Sequence, residues 1–495
     1  MVRDFLVLGG GSAGLIAALT LKRVLTGATV RVVRSTEIGV IGVGESTTPN
    51  VPFHFFEYLG LNRKRFYATC QPTWKCGVHF LWGSRPSFEY PFELQLDVRH
   101  PELPRPWGYY CQKDFSHLVL QASLVSQGKA FVRQPNGAPN IPATAAFHLD
   151  NPRLVKTLEM FAREAGIEFI DARVQGAEKG PAGIAAIILE DGRRLAAEFF
   201  VDASGFRSEL LGKAMAEPYI SYSPSLFNDR ALVANWPRTN EPILPYTTAE
   251  TMDAGWCWRI DHEEAINRGY VYSSAAITEE QARAEMQRKN PRAVLADHLV
   301  KFKSGRYQRA WVDNVMAIGN ASGFVEPLES SALMVTCWQC QTFVELYKHA
   351  GDSPPIRKLF NTSWANTWDE IRDFLTLHFY ANTRLDTPYW QHCRGDADIS
   401  RLQDLLDFYH EVGPTGYARY LLKNTGSQYG IEGFLVMLVG CQVPYRNIHT
   451  PTEAELQIVQ RHRATVQQLA SNGLTVKEAL AYVKHPNWRW FGDKE

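Results

Sequence analysis

Apolar runs that end on glycine organise the first two thirds of this chain. Residues 3–8 (RDFLVL) read as a buried strand, and Gly9, Gly11 and Gly14 follow it as GxGxxG. Leu15–Val24 has helical character, and Ala28–Val33 (ATVRVV) is a second strand. Together they make a βαβ unit whose glycines let the backbone approach a pyrophosphate. Further on, Pro152–Glu164 reads as a helix and Ile167–Ile170 as extended chain. Ala182–Leu189 and Arg194–Val201 form a predicted hairpin around Glu190-Asp191-Gly192. Residues 201–213 (VDASGFRSELLGK) repeat the strand, glycine turn and helix order, and Val315–Ile318 is a further strand running into Gly319.

Three glycine-marked strand ends, at 9–14, 202–205 and 319–323, predict one α/β nucleotide domain assembled from separated segments. That domain spans 1–345. Inserts near 76–145 and 215–300 add a second layer, and 346–495, helical and aromatic, forms a helical module. At 495 residues, two domains or one large domain with insertions is expected. Lys+Arg and Asp+Glu both number 52, so no net field argues for nucleic acid or an anionic membrane. No run is long and apolar enough to predict a membrane span, and the first apolar stretch is a nucleotide-binding strand rather than a signal peptide. The irregularly spaced cysteines predict reduced thiols in a cytoplasm, with Cys337 and Cys340 (CWQC) structural inside an apolar helix. Aromatic residues reach 12%, with 13 Trp, a surplus that suits a pocket for a flat ring.

Residues 319–333 (GNASGFVEPLESSAL) place a Pro, a carboxylate and two hydroxyls just after a glycine-bracketed turn and just before an apolar run. A helix opening there aims unpaired backbone N–H groups and a partial positive charge at whatever lies in front, a setting for a small anion or a flavin edge. Glu329 is out of place beside an anion pocket unless it serves acid/base chemistry. Its simpler role is a carboxylate in the first turn of a helix, worth about 0.3–1 kcal/mol. At the position where a ribose-binding acid is expected stands Arg34, with Glu37 three residues on. An arginine there covers adenine or reaches a phosphate, which keeps NADP open beside FAD.

The elements GGGSAG (9–14), IGVGESTTPN (41–50), WKCGVHF (74–80), VDASGFRS (201–208), GWCWRI (255–260), GNASGFVEPLESSAL (319–333) and HFYANTRLDTPYW (378–390), in that order, resemble the flavin-dependent halogenases of the tryptophan-halogenase family. The resemblance covers nearly the whole chain. It implies a Rossmann-like FAD-binding domain of the aromatic-hydroxylase type with a largely helical substrate module. It also implies halogenation of an electron-rich aromatic, indole or phenol, in which reduced FAD, O2 and halide yield hypohalous acid that travels to a lysine. Lys75 matches that lysine and Glu329 the second catalytic residue; without the resemblance, Lys75 reads as a surface lysine. Cofactor contacts are implied for Gly9, Gly11, Ser12, Ala13, Gly14, Arg34, Gly44, Glu45, Ser46, Thr47, Asp202, Gly319, Asn320 and Phe324.

Halide is implied at Ser330, Ser331 and Ala332, where the family has Thr-Gly in place of Ser331-Ala332. Alanine resists positive φ, so that stretch is expected to be helix-like or rearranged. Trp256 and Trp258 are implied to line a tunnel and keep substrate from the flavin, although Asp261 replaces the usual Pro after the motif. Tyr90 and Phe92 stand where tryptophan-specific members carry a His-Pro-Phe, and Glu432 is a further substrate candidate. No metal is implied. Reduced flavin is expected from a separate NAD(P)H-dependent reductase, and a monomer and a homodimer both remain open. Two rivals stand beside this reading: an aromatic hydroxylase of the same fold, and a non-catalytic binding protein on the same scaffold.

Overall fold

The computed structural model describes residues 3–37, 39, 44–92, 118–423 and 428–490. Its first layer is a six-stranded sheet in the order Trp311–Val312, Val315–Ala317, Phe199–Asp202, Asp4–Leu8, Thr29–Arg34, Glu168–Asp171. Every pairing is parallel except the terminal hairpin of Trp311–Val312 with Val315–Ala317. Leu8 lies opposite Asp202, and Asp202 opposite Ala317. The three predicted strand ends therefore emerge side by side at one edge, where an open α/β sheet binds its ligand. Helix Ser12–Val24, its residues from Gly14 to Leu21 all buried, packs between this sheet and helix Ser331–Ala350.

The structure corrects one boundary. The run Arg194–Val201 is two strands in two sheets. Arg194–Ala196 pairs with Gly183–Leu189 as predicted, while Phe199–Asp202 joins the six-stranded sheet. Glu198 makes the break: its N–H donates to the Asp4 carbonyl, and its carboxylate accepts from the N–H groups of Arg3 and Asp4.

A second, larger sheet is built from the inserts. Its order is Val294–Leu295, Arg230–Pro237, Ala265–Tyr272, Gly255–Asp261, Thr247–Met252, Gly77–Leu81, Phe88–Pro91. A small third sheet sets Ala146–Leu149 between Glu45–Ser46 and Thr73–Lys75. From Ser331 onward the described chain is mainly helical, led by Ser331–Ala350 and the long Pro354–Ala381 helix, which opens on two prolines. One continuous apolar core runs from Phe5 to Leu480 through all of these layers. Among the described residues no helix is long and apolar enough to cross a membrane.

Candidate active site

A cavity of about 960 Å³ opens where the three strand ends meet. This is the upper end of the range for small-molecule sites. Gly9, Gly11, Ser12, Ala13, Arg34, Gly44, Glu45, Ser46, Gly319, Asn320 and Phe324 all line it. Gly9 takes φ +127°, and a Cβ on it would collide with the Ala203 carbonyl. Gly11 caps the following helix with no side chain across its N–H groups, which leaves that end open to an anion. Three of the expected residues serve from behind the wall. Gly14 packs on the Gly9 carbonyl. Thr47 pairs with Phe147, its Oγ1 accepting from that N–H at 2.7 Å. The Asp202 carboxylate accepts from Ser204, Leu210 and Leu211 and so fixes the turn. The Arg34 guanidinium is paired with Glu159. Burial pushes the Glu45 carboxyl up to about 7. The cavity's volume, its glycine floor and its uncapped helix end fit FAD.

Lys75 lies directly behind one wall of that cavity. Its side chain is buried, and Nζ donates to Ser330 Oγ at 2.6 Å. Ser330 lines the cavity and donates in turn to Ser46 Oγ at 2.9 Å. The lysine is therefore one residue away from the flavin-sized space. Burial lowers its pKa to about 7, against the opposing pull of the Glu329 charge. The Phe92 ring covers the ammonium at 5.1 Å.

Ser330 is the pivot of the motif. It takes φ +55° and ends the short Pro327–Glu329 turn, and the next residue starts helix Ser331–Ala350. Ser331 and Ala332 thus stand in the first helical turn. The strain of positive φ falls on Ser330, so the alanine that departs from the family pattern carries no such cost. No side chain caps this helix, and Ala332 faces the cavity while Ser331 is buried.

Glu329 is buried and held by His378, the first residue of the 378–390 element, which was not among the expected site residues. His378 Nε2 stands 2.8 Å from Glu329 Oε1, and its Nδ1 stands 2.7 Å from the Phe374 carbonyl. A carbonyl has no proton, so Nδ1 must donate to it. The Nε2–Oε1 bond then needs a proton of its own, shared between imidazole and carboxyl. The same Glu329 charge adds to burial in driving the phenols of Tyr90 and Tyr429 well up. Tyr429 stacks on Phe374 at 4.0 Å, and Tyr90 lies 6.2 Å from the same ring. The Glu432 charge also acts on Tyr90. Lys75, Glu329, Tyr90, Phe92 and Glu432 are thereby gathered at one aromatic end, away from the strand-end glycines.

The two tryptophans divide their duties. Trp258 lines the cavity, its ring laid over Gly269, where any Cβ would collide with it. Trp256 does not line it; its Nε1 donates to Glu326 at 2.6 Å. Glu326 is buried, accepts also from Asn228, and is pushed by burial to about 7. Glu326 lies in the 319–333 segment but, like His148 and Thr247, is not singled out by the sequence. Glu326 and His148 sit in apolar runs whose pattern signals packing, and Thr247 opens a threonine-rich strand. Cys337 and Cys340 are buried with free thiols.

The fold is that of an α/β dinucleotide-binding protein, with a buried lysine and a buried carboxylate lying behind the wall of its cavity. Residues 4–452 match the tryptophan halogenase family. Tryptophan 7-halogenase RebH of Lentzea aerocolonigenes is 30% identical over 436 residues, 82% of each chain. Tryptophan 7-halogenase KtzQ of Kutzneria sp. is 32% identical over 79% of each. Among solved structures, MibH, a lathipeptide tryptophan 5-halogenase, superposes with a TM-score of 0.89 at 37% identity, covering 98% of this chain and 94% of its own. BrvH, a flavin-dependent halogenase from Brevundimonas, reaches 0.83 at 26% identity over 98% of this chain and 100% of its own.

The chain belongs to the tryptophan halogenase family. It is a flavin-dependent halogenase acting on an aromatic substrate, and membership implies flavin and halide as its cofactor and co-substrate.

Proposed function

We propose that Lys75 receives hypohalous acid and presents its halogen to an indole-type ring held between Tyr90, Phe92 and the Phe374–Tyr429 pair, with Glu329 taking the ring proton. The observation that carries this reading is Lys75 itself: a fully buried amine, one hydroxyl from the cavity wall and within reach of the Glu329 charge. Reduced FAD, with O2 and halide, supplies hypohalous acid when bound. The first turn at Ser331 and Ala332 offers backbone N–H groups to the halide. Trp258 closes the cavity side, with the Trp256 ring behind it at 5.9 Å, so the aromatic substrate stays at the lysine end. There Nζ either holds the hypohalous acid by a hydrogen bond or, as the neutral amine, accepts the halogen. Electrophilic substitution forms the carbon–halogen bond, and the displaced ring proton passes to the Glu329 carboxylate, which His378 orients.

Reduced flavin comes from a separate NAD(P)H-dependent reductase, so NADPH alone should give no turnover with the purified protein. The central test is Lys75→Ala with a reductase, halide and a panel of indoles and phenols, read by mass spectrometry. Halogenated product should vanish while reduced flavin is still oxidised; normal product formation would sink the assignment.

A further inference from the structure

Behind Lys75 the hydrogen bonds continue in an unbroken line. Nζ donates to Ser330 Oγ at 2.6 Å, and Ser330 Oγ donates to Ser46 Oγ at 2.9 Å. Ser46 Oγ lies 3.0 Å from Thr247 Oγ1, which lies 2.8 Å from His148 Nε2. The small sheet explains why these groups meet. Ser46 and Thr73 are both in register with His148, and Lys75 is two residues beyond Thr73. Directly paired residues share a face, as do residues two apart, so Ser46, His148 and Lys75 all project to one side. Thr247, from the neighbouring sheet, closes the gap.

The line has a direction. An ammonium can only donate, so Ser330 must accept from it and pass its own proton to Ser46. The same rule carries through Ser46 and Thr247 and ends on His148 Nε2 as an acceptor. Once Nζ is neutral, every bond can turn round, with the imidazolium N–H donating to Thr247.

We propose that Ser330, Ser46 and Thr247 form a proton wire from Lys75 to His148, by which the buried lysine sheds and regains its proton without bulk water. In the forward step Nζ gives a proton to Ser330, each hydroxyl gives its own to the next, and Thr247 protonates His148 Nε2. One proton moves in net, leaving a neutral amine and an imidazolium. The amine then takes the halogen: an N–X bond forms, the HO–X bond breaks, and the displaced N–H proton completes a water molecule. The groups facing His148 suit a transient acceptor. Burial keeps it neutral at rest, the Lys75 charge and His262 oppose its protonation, and the Asp261 main chain favours it. The lysine's opposition disappears at the moment Nζ loses its proton.

This inference rests on the role proposed for Lys75, and the test separates the two. Thr247→Val removes the hydroxyl at nearly constant shape, and Thr247→Ser restores it. With reduced flavin saturating, Thr247→Val should lower kcat by about tenfold or more at unchanged KM for the aromatic, while Thr247→Ser stays within about twofold of the parent. The solvent deuterium isotope effect should show several protons in flight in the parent and lose that signature in Thr247→Val. Equal rates for the valine and serine variants, or a slowed valine variant with the parental isotope effect, overturn the wire. Ser46→Ala and His148→Gln repeat the comparison should Thr247→Val fail to fold, judged by its melting curve. Normal halogenation by Lys75→Ala defeats the reading of Lys75 itself; an inactive Lys75→Ala beside a wild-type Thr247→Val defeats the wire alone.

Discussion

Lys75 and Glu329 are both buried, and each is held by one close polar partner, yet the surroundings of the two differ in kind. The lysine faces hydroxyls, which rotate and can either give or take a proton. The glutamate faces an imidazole pinned at its far nitrogen to the Phe374 carbonyl, which leaves one orientation. One side is made for a proton that moves, the other for a carboxylate that stays in place. In the roles proposed for them, the two groups would work at one ring without exchanging duties.

Glu329→Gln is the sharpest way to break this contrast. It keeps the shape and removes the base, so halogenated product per oxidised flavin should fall by about 10²–10⁴, the usual span for acid/base groups. A loss below tenfold would return the carboxylate to a structural role. His378→Phe comes next. It leaves Glu329 buried without its partner, which costs about 3–5 kcal/mol where a buried pair is broken. Thermal melting should show that loss, and product formation should fall less than in Glu329→Gln. His378→Gln, which can still donate to the carboxylate, should recover part of both.

The smallest effect concerns the lysine side. Its folded pKa of about 7 lies below the unfolded value of 10.5. The unfolded chain therefore binds the extra proton between those values, and stability rises with pH across that window. Below pH 7 the buried charge costs the fold its full penalty. Lys75→Met should thus be more stable than the parent at pH 6, by on the order of 4 kcal/mol less the lost Ser330 bond. The gap should close as pH climbs toward 10.5. A gap constant in pH would show that Lys75 is not desolvated.

Much of this was legible in the chain. Apolar runs ending on glycine marked the strand ends at 9–14, 202–205 and 319–323, and the sheet brings them side by side. Lys75 and Glu329 stood inside motifs too specific to be accidents. Ser330 was read as a halide residue, but its bond to a lysine 255 residues away was not legible, and neither was His378 as the partner of Glu329. His378 lies 49 residues beyond Glu329, in a helix whose buried face mixes apolar residues with Thr367, Glu370, Asp373 and Thr376. His148 sits in a four-residue strand that is buried throughout. The split of Arg194–Val201 was hidden for a related reason: the pattern stays apolar through Ala196 and Ala197, and only long-range bonds to Glu198 reveal the turn. At Ala332 the sequence raised a backbone problem that the fold settles one turn earlier, at Ser330.

Ser330 has a consequence that reaches past its geometry. Its backbone starts the helix whose first N–H groups face the cavity, and its hydroxyl takes the bond from Lys75. An anion seated on that helix end and a proton seated on Nζ would therefore share one residue. Thermodynamic linkage then requires each to change the other's affinity by the same factor. Any effect of a halide bound there on the lysine's proton would be matched by an equal effect of that proton on the halide.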